Sequence, residues 1–206
     1  MSYNRRVSLR DRKRARTRQA LIDAATDLFE RNGYDETTVA DIAAAAEIAT
    51  RTFFGYFASK DELLFPDADG RVEATVEALA NRKPGDRPID ILLQALAHAG
   101  DVSGETVSRL TTLRLRLIQT VPAVRGRALQ IQLDTERRIA AHLAEAFPDQ
   151  LDDVGARALT GAFVGAVSGA VQAVLERTGE LTPAARQAAS REAVEVALAP
   201  WLAQRG

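Results

Sequence analysis

The chain has 206 residues and a formal net charge of −1, enough length for a small domain followed by a larger one. It contains no cysteine, which excludes a disulfide framework and any thiolate metal site. With no signal-peptide pattern and no uninterrupted apolar span, a soluble cytoplasmic protein is expected.

The near-neutral total conceals a segregation. Residues 1–18 hold eight basic residues (Arg5, Arg6, Arg10, Arg12, Lys13, Arg14, Arg16 and Arg18) against one acid, Asp11, so this segment carries +7 and the remainder −8. Such an asymmetry suits a protein that holds a polyanion at one end. A solvated tail has the same composition. Residues 1–18 are therefore read as a basic arm whose meaning depends on the segment behind it.

From residue 19 onward the chain reads as helix throughout, an all-α pattern without strand-like alternation. Leu21, Ile22, Ala25, Leu28 and Phe29 form the apolar stripe of a first helix. Arg31, Asn32 and Gly33 supply a basic last turn and a glycine stop. A second, short helix opens at Thr38, which has capping-box spacing to Asp41 and carries Val39, Ile42, Ala43 and Ala46 on its inner face. After Glu47, Ile48 and Ala49 a third helix is expected from Thr50 to Tyr56. Its inward residues would be Phe53, Phe54 and Phe57, and its outward ones Thr50, Arg51, Thr52 and Gly55. Ser59 and Glu62 form a second capping-box pattern that predicts a fourth helix, with Leu63 and Leu64 on its apolar face. Longer helices are expected over about 67–82, 88–99, 105–119, 124–147, 153–178 and 183–203, the last with Thr182 as cap and Pro183 at its first position.

Two short helices joined by three residues form a helix-turn-helix, in which the second helix enters the major groove of DNA. The stretch resembles the TetR family of bacterial transcription regulators. The resemblance rests on Leu28-Phe29-Glu30-Arg31-Asn32-Gly33-Tyr34, Thr37-Thr38-Val39-Ala40-Asp41-Ile42-Ala43, Arg51-Thr52-Phe53-Phe54-Gly55-Tyr56-Phe57 and Ser59-Lys60-Asp61-Glu62-Leu63-Leu64, in order and in register. It implies a three-helix DNA-binding domain (12–58, behind the arm) and a helical ligand and dimerisation domain (59–206). It further implies a homodimer on double-stranded DNA with a palindromic operator, and a small-molecule effector that releases it.

Carried onto this chain, the resemblance gives Thr38 a phosphate contact beside its capping role. Thr50, Arg51 and Thr52 open the recognition helix. Tyr56 and Lys60 are implied to meet phosphate, so that losing Lys60 would weaken binding to every sequence and lower its salt dependence. Arg10, Arg12, Lys13, Arg14 and Arg16 could reach the minor groove or the backbone. Arg51, the long donor on that helix, is the candidate for reading a base. Each has a plainer reading, as a cap, a solvated charge or a core aromatic. Three positions depart from the family pattern: Glu47 stands where glycine suits a left-handed backbone, Ala49 where a hydroxyl caps the recognition helix, and Gly55 where a larger contacting residue is common. Thr50 could take over as cap by shifting the helix start by one residue.

The second domain says less. Gly161, Gly165 and Gly169, four apart on one helical face, allow close helix approach, either within the subunit or between two copies. The run around them is read as too short and too interrupted by charge to span a membrane. With Val194, Leu198 and Trp201 these glycines are the expected dimer contacts. Leu92, Leu96, Leu113, Leu117, Ile118 and Phe163, with His98 or His142, are candidates for a pocket, although a core leucine is the default for any of them. Leu113 to Ile118, running to Pro122, resembles an actinobacterial subgroup linked to acyl-CoA-like ligands.

No catalytic motif is found: no cysteine nucleophile, no zinc-protease helix, no P-loop and no dinucleotide fingerprint. The two histidines, His98 and His142, have no metal spacing. No enzyme activity, cofactor or metal is expected. The alternatives are an activator, or a ligand-independent helical module whose basic arm binds DNA, RNA or a membrane; neither repeats nor a clear set of exposed aromatics support the RNA reading.

Overall fold

The computed structural model describes residues 8–66, 68–101, 105–179 and 182–203, without the side chains of residues 99–101, 105–108, 183 and 200–203. The described residues are helical and contain no strand. They fall into two compact units, dividing after Pro66.

The first unit opens with α1 (Leu9–Asn32), α2 (Val39–Ala45) and α3 (Thr50–Phe53), and closes on a 3-10 turn, Asp61–Leu64. Residues 9–18 belong to α1, which corrects the expectation of a separate arm up to residue 18. Ser8 caps the helix, accepting from the Asp11 N–H at 3.1 Å, while Asp11 accepts from the Ser8 N–H at 3.2 Å. This is the capping box that Thr38 and Asp41 form at α2. The inner side of α1 buries Leu21, Ile22, Ala25, Leu28 and Phe29. Ile42 and Ala43 of α2, and Phe53 and Phe57, complete the core.

The fourth helix expected at Ser59 does not form. The Glu62 carboxylate accepts from the Ala58 N–H at 2.8 Å, one residue upstream of the expected cap, and a single 3-10 turn results. It stops at Phe65, because Pro66 disfavours helical backbone in the residue before it. Leu63 and Leu64 are fully buried. The turn therefore belongs with the first unit, and the domain boundary lies after Pro66 rather than after residue 58.

The second unit comprises α4 (Gly70–Ala80), α5 (Pro88–Asp101), α6 (Glu105–Thr120), α7 (Pro122–Ala146), α8 (Asp153–Thr178) and α9 (Pro183–Ala203). Helix α8 packs along α7 and α9, and α4 packs on α5 and α7. One apolar cluster joins Val72, Leu92, Ile139, Leu143, Leu159, Phe163, Val194 and Leu198. A smaller one, at the far end of α8, joins Val174, Leu175 and Ala189. Thr182 caps α9 as expected, accepting from the Ala185 N–H at 3.2 Å.

By length and apolar composition α8 is long enough to cross a bilayer, contrary to the reading of its sequence as too short. Its inner face is nevertheless spent on the protein core, through Ala156, Leu159, Phe163 and Val164.

Candidate nucleic-acid interface

The turn of the helix-turn-helix is a complete Schellman motif. The Glu47 N–H donates to Ala44 O at 3.0 Å and the Ile48 N–H to Ala43 O at 2.9 Å. This geometry requires a left-handed residue, and Glu47 adopts it with φ of 55°. The chain thus keeps the turn and accepts the strain of a side chain where glycine would have none. At the next helix Ala49 is the cap residue and offers no side-chain bond; Thr50 does not take over its role. Only one regular turn of α3 forms, shorter than the expected Thr50–Tyr56.

Within that turn, Phe53 is fully buried and Phe57 nearly so, while Thr50, Arg51, Thr52 and Gly55 face outward. Phe54 corrects the expectation of an inward ring, because 57% of it is exposed. Its ring meets Phe53 edge-to-face at 5.4 Å. Gly55 has an ordinary backbone, with a Cβ there 3.3 Å from Thr52 O, so its lack of a side chain is not forced by a left-handed conformation.

The basic residues of α1 divide by face. Arg14 lies over the Tyr56 ring at 5.2 Å and donates through Nη2 to Gly55 O at 3.2 Å. One turn on, Arg18 lies over Phe57 at 5.1 Å and donates to Pro66 O at 2.8 Å. These two cations tie the end of the recognition segment to α1. Arg10, Arg12, Lys13 and Arg16 are exposed, with no side-chain partner among the described residues, and so is Arg51.

Lys60 is turned toward the protein. Its Nζ donates to Tyr34 O at 2.7 Å, Thr37 O at 3.0 Å and Asp35 O at 3.5 Å, and sits 4.2 Å from the centre of the Tyr34 ring. An ammonium has three protons, and these carbonyls engage them. Burial, with Asp61 and Asp35 nearby, pushes the Tyr34 hydroxyl up to about 12, so it stays protonated. The Thr38 hydroxyl is likewise committed. It donates to Asp41 Oδ2 at 2.6 Å and accepts from the Asp41 N–H at 3.2 Å. The bond from the Thr38 hydroxyl, with the Thr38 N–H donating to the same oxygen at 3.0 Å, holds the Asp41 carboxyl below the usual carboxylate range. A hydroxyl has one proton, so Thr38 has none left to donate to phosphate while this cap persists.

In the second unit, Leu92, Leu96 and Phe163 share one apolar cluster. Leu113 is buried, and Leu117, Ile118 and His142 are half-buried. His98 is exposed, its Nδ1 2.8 Å from Gln94 O on its own helix, which removes it from the pocket candidates. Thr160, which sequence reading passed over, is fully buried with no hydrogen-bond partner for its hydroxyl among the described residues. Of the expected dimer contacts, Gly165 and Gly169 are exposed and Gly161 half-buried, and an added Cβ at each meets nothing within 4 Å among the described residues. Among the described residues, no close packing inside the subunit involves them. Val194 and Leu198 are core residues, which corrects their assignment to a dimer surface. The side chain of Trp201 lies outside the described residues.

This arrangement is that of a helix-turn-helix DNA-binding unit joined to a helical second unit. Residues 21–65 match the family model of bacterial regulatory proteins, tetR family, and residues 86–196 match that of the MftR C-terminal domain. The chain belongs to the TetR family of transcriptional regulators. It is 36% identical over 150 residues to the HTH-type transcriptional regulator TcmR of Streptomyces glaucescens, a match spanning 70% of this chain and 66% of TcmR, just under two thirds of that protein. It is 28% identical over 133 residues to MftR of Mycobacterium tuberculosis, named for the regulation of mycofactocin biosynthesis, with 65% of this chain and 67% of MftR aligned. The fold is shared with the crystal structure of Thermus thermophilus FadR, a TetR-family repressor in complex with lauroyl-CoA. That likeness has a TM-score of 0.54 and 20% identity, over 86% of this chain and 93% of FadR. TetR-family regulators bind operator DNA and small molecules and form dimers, and the relatives are regulators rather than enzymes.

Proposed function

We propose that the protein is a cytoplasmic homodimeric repressor that binds a palindromic operator through α3 and α1 and is released by a small apolar or acyl ligand held in the second unit. The observation that carries the DNA contact is the exposed cationic set Arg10, Arg12, Lys13, Arg16 and Arg51, on the unit that also presents Thr50, Thr52 and the half-buried Tyr56. Arg51 reads a base, the α1 cations hold phosphates, and Gly55 lets the backbone approach closely. Arg14 and Lys60 act indirectly: Arg14 holds the recognition segment and Lys60 the loop after α1. Thr38 acts mainly as the α2 cap.

Two copies meet across the exposed small-residue side of α8, formed by Val154, Ala158, Ala162, Gly165, Gly169 and Ala173. The ligand occupies the apolar interior around Leu92, Leu96, Leu113 and Phe163, where the unpartnered Thr160 hydroxyl supplies a polar contact. An acyl thioester fits the run from Leu113 to Pro122, and lauroyl-CoA is what FadR holds on the same fold.

The test begins with selection of bound duplexes from a randomised pool at physiological salt. A palindromic consensus is expected, with Arg51→Ala relaxing one position in each half-site. Affinity without any preferred site would overturn the reading. Gel-shift titration with acyl-CoA thioesters of increasing chain length should then release the operator; no release at any length removes the acyl ligand.

A further inference from the structure

Phe54 is the large apolar side chain that the recognition segment leaves in solvent. A single exposed hydrophobic residue needs no explanation by itself. Three features give this one a use. Thr50 precedes it by one helical turn, and Arg51, Thr52 and Gly55 are exposed beside it, so it extends the surface proposed to read bases. Its ring is held edge-to-face at 5.4 Å against Phe53, which is fully buried, so it stands out from an anchored position rather than lying loosely on the surface. Gly55, next in the chain, adds no side chain to cover it.

A phenyl ring neither donates nor accepts a conventional hydrogen bond, so it cannot take a phosphate or the polar edge of a base. The apolar group that the major groove offers is the C5-methyl of thymine, against which an aromatic or aliphatic side chain can pack. We infer that Phe54 is a specificity-determining residue, selecting thymine in each half-site by burying its C5-methyl group. The inference rests on the DNA-binding reading above. It gives the recognition segment a second reader beside Arg51, an apolar one, and offsets the direct contact that Gly55 does not provide.

The test uses the full-length protein and the best duplex from the randomised selection. Each thymine is replaced singly by deoxyuridine, which removes the methyl group and leaves base pairing unchanged. At one thymine per half-site the wild type should lose about fourfold in affinity, the value of burying one methyl group, and about fifteenfold when both symmetric thymines are replaced. Phe54→Ala should bind the thymine duplex about as weakly as the wild type binds the deoxyuridine duplex, and show no further loss on the deoxyuridine duplex. Phe54→Leu should retain part of the discrimination, and Arg51→Ala all of it. A thermal melt of Phe54→Ala like that of the wild type separates lost contact from lost fold. Absence of any preferred duplex would count against the DNA reading itself. A clear consensus whose deoxyuridine penalty is equal in the wild type and Phe54→Ala would overturn this inference alone.

Discussion

The two units are held together by different physics. The first is small, and polar devices secure it. Two capping boxes start α1 and α2, and Arg14, Arg18 and Lys60 lie over Tyr56, Phe57 and Tyr34 while donating to backbone carbonyls. The second unit relies on an interhelical apolar core running from Val72 to Leu198. Polar devices are local and directional, so they place particular side chains at a surface. An apolar core is non-directional, and it fixes helices without marking which of its residues serve a ligand.

The sharpest way to break that contrast is to damage each core in turn. Phe53→Ala should cost about 3–5 kcal/mol and Leu143→Ala about 2–5 kcal/mol, since both side chains are fully buried. In calorimetry the first should lower the melting of the DNA-binding unit and the second that of the other unit. If both substitutions shift a single shared transition equally, the units are not independent in stability.

Glu47→Gly should stabilise the first unit by roughly 1 kcal/mol by relieving the left-handed backbone. It should also tighten DNA binding, because a negative charge leaves the turn before the recognition helix. A lower melting temperature would show that the Glu47 side chain contributes more than its backbone costs.

Lys60→Met tests whether that cation is a polar device of the fold or a DNA contact. Loss of affinity with an unchanged salt dependence is expected, because the ammonium is committed to Tyr34, Asp35 and Thr37. A fall of about 0.9 in the slope of log affinity against log salt would show instead that Lys60 neutralises a phosphate.

The smallest effect concerns Asp41. Its carboxyl is held below the usual range by the Thr38 hydroxyl and N–H, so the folded value lies under the unfolded one. The stability it contributes is present above the unfolded value, near 4, and is lost as pH falls through the folded value. Thr38→Val should raise the Asp41 titration, followed by NMR, toward the usual range and weaken this acid-side dependence. An unmoved titration would mean that the cap does not hold the carboxylate.

Much of the first unit was legible from sequence. Glycine stops, caps and the Arg51–Phe57 run are short-range signals, and Glu47 advertised its strained position through the missing glycine. The start of α1 was not read from sequence, although Ser8 and Asp11 repeat the spacing of Thr38 and Asp41. The absence of an apolar stripe before Leu21 hid it, because a helix exposed on all sides shows no periodicity. Phe54 was misplaced because three phenylalanines in five residues read as core, whereas a turn this short turns only Phe53 and Phe57 inward.

By itself the sequence determined the all-helical class, the helix-turn-helix and most helix limits, because hydrophobic period, caps and turn residues act within a few positions. The tertiary structure alone decided which cations face inward and that Val194 and Leu198 lie in the core. Those outcomes depend on residues distant in the chain. Arg14 finds Tyr56, Lys60 finds Tyr34, and α9 buries its apolar side against α8 only once the chain has folded.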